Sequence, residues 1–220
     1  MAVAALAPGG TLRLVRRSEI LKASPRMFEN DLLDRFTRVH PIVPVLLFAP
    51  AIAILAYMGV DARGVEALAW VGGGYLFWTL TEYWLHRVVF HFEPDHPVGR
   101  RIHWMIHGVH HDHPNDPLRL VMPPSASIPL ASGFVLLFWV ALGSGRWAAF
   151  GAGFLAGYLA YDMLHYHVHH HVPRTRVGKK LRELHMRHHF QDHDAGFGVS
   201  APYWDYVFGT APKRAKRVAS

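Results

Sequence analysis

The chain has 220 residues, enough for one compact domain or two small ones, and 51% of them are hydrophobic although the formal net charge is +7. Apolar and basic residues must therefore be segregated along the sequence. There is no cysteine, which excludes disulfide bonds and thiolate metal ligands. The first ten residues lack a basic segment and are interrupted by Pro8, so we expect no secretory signal peptide.

Residues 1–40 form a polar segment of mixed charge ahead of the first long apolar run. Within it, Phe28, Leu32, Leu33 and Phe36 are spaced for one apolar face, which predicts an amphipathic helix over residues 26–39. Such a helix is typical of a cytoplasmic membrane surface. An ordinary solvated helix has the same pattern, and both alternatives stay open at this point.

Four runs without Asp, Glu, Lys or Arg follow, at residues 41–60, 67–81, 120–145 and 147–161. About 20 apolar residues cross a bilayer, so the two long runs qualify, and the two short ones continue into segments rich in Tyr and His. We therefore expect four transmembrane helices, with buried helices of a soluble protein as the alternative. The first should be kinked by Pro44 and Pro50. Gly72, Gly73 and Gly74 should allow close helix packing in the second.

Basic residues are distributed unevenly around these runs. Only Arg63 and Arg146 lie in the two short turns that join paired runs, and the other 21 of the 23 Lys and Arg residues lie elsewhere. This distribution follows the positive-inside rule and predicts that both termini are cytoplasmic. Residues 213–220 then form a basic tail facing anionic lipid. Because no basic run is interleaved with aromatic residues, we expect no nucleic-acid partner.

Histidines follow the second and the fourth run in the same order: a spaced pair, a proline break, then the pattern H-x-x-H-H. On a helix, positions i, i+3 and i+4 share one face, so we expect each triplet to point three imidazoles the same way. His169 is preferred over His170 and His171 because it lies four residues after His165. This shared order of motifs reflects either an internal repeat or two metal-binding helix pairs that have to span similar distances. The candidate metal ligands are His86, His91, His107, His110, His111, His165, His169, His185, His188 and His189.

Ten imidazoles are too many for one zinc ion, which uses three or four protein ligands. Two metal ions with about five imidazoles each fit the count. Zinc alone would indicate hydrolysis, whereas a histidine-rich pair at a membrane surface favours redox iron that activates dioxygen. The sequence has no nucleophile motif, phosphate loop or dinucleotide fingerprint, so we predict no catalytic residue beyond the ligands. Asp162, Asp192 and Tyr166 are candidates for hydrogen bonding to the ligand rings, with a solvated surface residue as the alternative for each.

At these residues the chain resembles the membrane fatty acid hydroxylase superfamily, and most closely the fatty acid 2-hydroxylases that act on sphingolipid acyl chains. The histidine motifs are shared with sterol desaturases. Two further segments narrow the resemblance to the 2-hydroxylase branch: Ser24-Pro-Arg-Met-Phe28 and Arg119-Leu-Val-Met-Pro-Pro124. The segment from Tyr203 to Thr210 is also similar.

The resemblance implies an all-α integral membrane fold, with four transmembrane helices under a cytoplasmic helical cap that holds a dimetal centre. We assign residues 41–212 to the membrane domain. The resemblance implies two iron ions, and zinc could occupy the site in the purified protein. It further implies O2-dependent C2 hydroxylation of a membrane lipid. Many eukaryotic members carry a fused cytochrome b5 domain and this sequence has none. We therefore expect a separate electron donor of cytochrome b5 or ferredoxin type at the basic cytoplasmic face.

Two alternatives remain at the level of sequence. One is hydroxylation or desaturation of a sterol or carotenoid by the same scaffold. The other is a metal transporter or metal-storing membrane protein, which would place its ligands inside the spans, whereas the uncharged runs here contain no histidine. For a hydroxylase we expect attack near the polar end of the acyl chain, along a path lined by residues near Phe77, Trp78, Met122 and Leu164.

Overall fold

The structure, a computed structural model, describes residues 2–6 and 12–213, and this part of the chain is mostly helical. The exception to the expected all-α fold is an antiparallel hairpin of β1 (Ala2–Leu6) and β2 (Leu12–Arg16). β1 is apolar, β2 combines apolar residues with Arg13 and Arg16, and the sequence Pro8-Gly9-Gly10 lies between them. Turn-forming residues between two short segments of this kind are a hairpin signal. The expectation of a fold without strands overlooked that signal.

Two short helices precede the main bundle, α1 (Arg17–Leu21) and α2 (Asp31–Phe36). The second is much shorter than the amphipathic helix predicted for residues 26–39. The side chain of Asn30 accepts hydrogen bonds from the N–H groups of Leu32 and Leu33, so it caps the helix and sets its start. The apolar side chains of Leu32, Leu33 and Phe36 are exposed.

Four long helices form the bundle: α3 (Ile42–Arg63), α4 (Glu66–Trp84), α7 (Pro124–Leu142) and α8 (Arg146–His170). Helix α8 is central and packs against the other three. By length and composition alone, α3 and α7 are each long and apolar enough to cross a membrane. The bundle core is aromatic, with Phe48, Trp78, Phe138, Phe154 and Tyr158 all buried.

The backbones of α4 and α8 approach each other closely. A Cβ atom on Gly74 would lie 2.0 Å from the carbonyl oxygen of Phe150, and one on Gly153 would lie 1.9 Å from that of Val71. A Cβ atom on Gly72 would meet open space. Of the three consecutive glycines expected to allow close packing, Gly74 is therefore the one that needs to lack a side chain.

The remaining helices form a cap at the end of the bundle where α4 and α8 finish. Helix α4 continues into a π-helical turn (Leu85–Phe90), followed by α5 (Pro97–His103), a second π-helical turn (Trp104–Gly108) and α6 (Val109–Asp112). Beyond α8 lie α9 (Arg176–Phe190) and α10 (Tyr203–Val207). These elements carry all the candidate ligands except His165 and His169, which lie in the last turns of α8, and His91, which directly follows the first π-helical turn.

Candidate metal centre

The ten candidate histidines lie together in the cap as two groups of five. Within each group, one ring nitrogen of every histidine lies within 4.8 Å of those of the other four. Group 1 consists of His86, His91, His107, His111 and His188. Group 2 consists of His110, His165, His169, His185 and His189.

Each H-x-x-H-H triplet is divided between the two groups. His107 and His111 belong to group 1 and His110 to group 2, whereas in the second triplet only His188 belongs to group 1. Our expectation that each triplet points all three rings the same way was wrong. Adjacent helical residues are about 100° apart, so positions i+3 and i+4 diverge, while i and i+4 lie about 40° apart. Each half of the chain therefore contributes four rings to one group and one ring to the other.

The first π-helical turn brings His86 and His91 into the same group. Five residues apart in an α-helix, the two rings would point about 140° away from each other. Here the N–H of His91 donates to the carbonyl oxygen of His86, 3.2 Å away, which is the i to i+5 pattern of a π-helix. His86 Nε2 consequently lies 3.2 Å from His107 Nε2, and His91 Nε2 lies 3.0 Å from His188 Nε2.

Burial holds the imidazoles in their neutral form. It lowers the pKa of His110 to about 3 and that of His188 to about 4. Burial and the neighbouring imidazoles lower the pKa of His107 and of His185 well below the usual value. All four rings are therefore unprotonated at neutral pH, which is the form that binds metal ions.

The donor set fits metal ions. The Nε2 atoms of His110 and His165 are buried and have no hydrogen-bond partner among the described residues. An unpartnered buried nitrogen destabilises the fold, and a metal ion would satisfy it. In group 2 the Nε2 atoms of His169 and His185 converge to 2.8 Å. Imidazole-only groups of this kind suit iron and zinc.

The other histidines have different surroundings. His96 caps α5 by accepting from Val98 N–H. His103 and His113 lie against main-chain carbonyl oxygens, to which their rings donate. The ring of His193 is exposed, with its centroid 5.2 Å from that of His111.

His170, an alternative to the preferred His169 in the sequence, packs against Tyr166, with the ring centroids 4.4 Å apart. Of the other residues expected to hydrogen-bond to ligands, Asp162 is buried and accepts from the hydroxyl of Tyr158 at 3.4 Å. Asp192 is exposed and accepts from the N–H of Asp194. A role for Asp162, Asp192 or Tyr166 in orienting the ligands stays a prediction.

Two ligand rings find partners that the sequence analysis missed. His86 Nδ1–H donates to the carbonyl oxygen of Phe197 at 2.7 Å, and His188 Nδ1–H donates to that of Ala195 at 2.8 Å. Main-chain carbonyls have no residue signature, so histidine spacing could not reveal them. The sequence Gly196-Phe197-Gly198 was the available signal, because closely spaced glycines often mark a tight backbone approach.

Comparison with known proteins agrees with this geometry. The sequence model of the fatty acid hydroxylase family matches residues 70–210, which include all ten candidate ligands. The dihydroceramide fatty acyl 2-hydroxylase FAH1 of Arabidopsis thaliana is 39% identical over 198 residues, covering 87% of this chain and 81% of FAH1. The ceramide very long chain fatty acid hydroxylase SCS7 of Saccharomyces cerevisiae is 41% identical over 196 residues, covering 86% of this chain and 50% of SCS7.

A solved structure of full-length Scs7p, in which only the hydroxylase domain is visible, superimposes with a TM-score of 0.82 at 32% identity. The match covers 88% of this chain and 74% of the Scs7p chain. The sequence match extends over more than half of the chain, and the shared fold covers nearly all of it. The chain belongs to the fatty acid hydroxylase family, and it is a hydroxylating oxidoreductase.

Proposed function

We propose that this protein is a membrane-bound di-iron monooxygenase that hydroxylates C2 of a fatty acyl chain, free or within a sphingolipid. The observation that carries the proposal is the pair of buried five-imidazole groups. The 2-hydroxylase and ceramide hydroxylase names of FAH1 and SCS7 support the choice of substrate. The overall reaction replaces a C–H bond by C–OH, consumes one O2, two electrons and two protons, and releases one water.

The ten histidines of groups 1 and 2 would hold the two iron ions, which when bound supply the activation of dioxygen. The chain contributes neutral ligands in a buried site. Eight of the ten histidines are buried, and His91 and His111 are half-buried. Such burial would limit the access of bulk water to the reaction. Zinc also favours imidazole, so zinc in the purified protein is compatible with the proposal.

An apolar groove supports binding of an acyl tail. It has a volume of about 650 Å³, lies between α3 and α7, and includes Leu47, Val135 and Trp139 in its walls. A smaller pocket lined by Trp78 and Met122 shares two wall residues with it, Ala131 and Leu155. Trp78 and Met122 are two of the four residues expected near the path of the lipid.

The position of the groove relative to group 2 favours attack near the polar end of the chain. Leu155 and His165 both lie on α8, ten residues and so about 15 Å apart along the helix axis. A tail in the groove would place the carboxyl or amide end towards the cap. Moving a distal carbon to the cap instead would expose methylene groups, at about 0.8 kcal/mol each.

We further propose that α3, α4, α7 and α8 all cross the membrane and that the cap is cytoplasmic. Large apolar side chains on the outer surface of the bundle support this, among them Leu46, Leu76 and Val140, each more than half exposed. A soluble protein rarely leaves such a surface uncovered. The orientation rests on the distribution of Lys and Arg residues. The exposed apolar side chains of α2 suit a position at the membrane surface.

The electrons would come from a separate acidic donor of cytochrome b5 or ferredoxin type. Helix α9 offers a docking surface, because Arg176, Lys179 and Lys180 are exposed. The same helix carries His185 and His188 on its buried face. A donor on α9 would therefore be separated from the ligands by about one helix diameter, roughly 10 Å.

The test is to supply the protein and a reductase system with labelled palmitate or ceramide and locate the new oxygen by mass-spectrometric fragmentation. We expect a 2-hydroxy acyl product that takes its oxygen from 18O2 and not from H218O. His165→Ala serves as the inactive control. A mid-chain hydroxyl, a terminal hydroxyl or a double bond would contradict the proposed reaction without contradicting the proposed metal centre.

A further inference from the structure

A loop between α9 and α10, residues 195–200, lies directly against group 1. Its carbonyl oxygens at Ala195 and Phe197 accept from the Nδ1–H groups of His188 and His86. A carbonyl oxygen can only accept, so Nδ1 of each ring must carry the proton. Nε2 then carries the free electron pair, and it is this atom that points into group 1.

The carboxylate of Asp205 holds the loop in place. This side chain is almost completely buried and accepts from the N–H groups of Phe197 and Gly198, each at 2.9 Å. A third hydrogen bond comes from the hydroxyl of Thr210 at 2.8 Å. The peptide groups of Phe197 therefore link Asp205 on one side to His86 on the other.

The loop has little freedom to adopt another shape. Gly196 has a φ of 81°, a left-handed conformation that favours glycine, and a Cβ atom there would lie 2.7 Å from Pro212 Cγ. At Gly198 a Cβ atom would lie 2.5 Å from the carbonyl oxygen of Ala201. At the end of the loop, Ser200 N–H donates to the buried carboxylate of Glu82 at 2.8 Å.

In the part of the chain that the structure describes, three of the five rings of group 2 have no corresponding restraint. The Nδ1 atoms of His169, His185 and His189 are buried and find no hydrogen-bond partner within residues 16–213. These rings lie on α8 and α9, so the helices themselves orient them. Any effect of the loop on metal binding should therefore be confined to group 1.

From these contacts we propose that Asp205 is a positioning residue for group 1. Through the loop of residues 195–200, it fixes the tautomer and the orientation of His86 and His188, two of the five ligands. Removing the direct hydrogen-bond partner of a metal ligand typically weakens metal binding by about 10- to 100-fold, and Asp205 acts on those partners one hydrogen bond further out, so we expect an effect at the lower end of this range. The inference rests on the proposed dimetal centre.

The experiment measures zinc affinity of the purified full-length chain by competition with a chromophoric chelator. Asp205→Asn keeps the size of the side chain and removes one of its two accepting oxygens. It is introduced into two backgrounds: His185→Ala, which disables group 2, and His107→Ala, which disables group 1. We expect about tenfold weaker zinc binding in the first background and unchanged binding in the second. Asp95→Asn, an exposed carboxylate of the cap, is the matched control.

Unchanged affinity in the His185→Ala background, or equal loss in both backgrounds, would overturn the role of Asp205. Wild-type protein that binds fewer than two zinc ions would instead refute the dimetal centre, and the positioning role with it. If Asp205→Asn does not yield folded protein, Thr210→Val replaces it in the experiment. This substitution removes one of the three hydrogen bonds to the carboxylate of Asp205. It should weaken zinc binding in the same background to a smaller extent, and no change there would also overturn the proposal.

Discussion

Arg119 and Asp34 form a buried ion pair, with Arg119 Nη2 3.1 Å from Asp34 Oδ1. Asp34 also accepts from Arg38, whose guanidinium donates to Ser24. The pair therefore joins the start of the segment of residues 119–124, which leads into α7, to residues 24–38. The two segments that narrow the resemblance to 2-hydroxylases are thus parts of one contact network, and Met122 in one of them lines the pocket beside Trp78.

Asp34→Ala should destabilise the protein by about 3 kcal/mol, because it removes the nearer carboxylate of the buried guanidinium of Arg119 and leaves only Asp116, at 3.8 Å from Nε. Chemical or thermal unfolding in detergent provides the measurement. Asp31→Ala is the matched control on the same helix. Its ion pair with Arg26 is solvent-exposed, so we expect a loss of no more than about 1 kcal/mol. Similar losses in both variants would contradict a special role for the buried pair.

The same carboxylate should make stability depend on pH. Burial raises the pKa of Asp34, but the hydrogen bonds from Met27, Arg38 and Arg119 outweigh it and hold that pKa well below its usual range. A folded-state pKa below the unfolded value stabilises the fold fully above about pH 4, and this stabilisation is lost as the pH falls further. Unfolding curves between pH 6 and pH 3 should show a steeper loss for the wild type than for Asp34→Asn. Parallel curves would contradict this.

Replacing a candidate ligand should abolish turnover. We expect His107→Ala, His165→Ala and His188→Ala each to lose at least about 100-fold in activity, since loss of a ligand costs no less than loss of its hydrogen-bond partner. His40→Ala should retain most activity, as should His193→Ala, whose exposed ring lies near His111. Product formation per folded protein in isolated membranes is the measurement. Comparable loss in His40→Ala would mean that the boundary of the ligand set is wrong.

The packing of α4 against α8 should accommodate an added methyl group at Gly72 but not at Gly153. Gly153→Ala places Cβ against the carbonyl oxygen of Val71 and should cost about 3 kcal/mol or more through overpacking. Gly72→Ala places the same group in open space and should leave the unfolding temperature unchanged or slightly higher. Equal effects of the two substitutions would contradict direct backbone contact.

Narrowing the groove between α3 and α7 should change chain-length preference. Ser132 lines the groove, so Ser132→Trp should lower the ratio of long-chain to short-chain product by at least about tenfold. Leu137→Trp, on the exposed side of α7 and outside the groove, is the control. Competition between two labelled acyl substrates of different length measures the ratio. An unchanged ratio in Ser132→Trp would exclude this groove as the tail site.

The sequence spacing was sufficient to identify the candidate ligands but not to assign each of them to group 1 or group 2. His185 and His189 both lie on α9, so their spacing of four residues correctly indicated one shared helix face. His86 and His91 became candidates because they are a spaced histidine pair next to a helix end. Helical spacing argues against them, because an α-helix would point their rings about 140° apart. The π-helical turn that unites them has no simple residue signature. Nor do the carbonyl acceptors at Ala195 and Phe197, since any residue type has a main-chain carbonyl. The acceptor for His86, at Phe197, also lies 111 positions away along the chain.

His110, from the first half of the chain, belongs to group 2, and His188, from the second half, belongs to group 1. Each site therefore contains ligands from both halves of the chain. A metal ion in group 1 would bond four rings from residues 86–111 and one from α9, and an ion in group 2 would bond four rings from α8 and α9 and one from α6. Each ion would therefore act as a cross-link, comparable to a disulfide in a protein that has no cysteine. Metal removal should release two such cross-links and loosen the attachment of α9 to the two π-helical turns and α6, in addition to ending turnover.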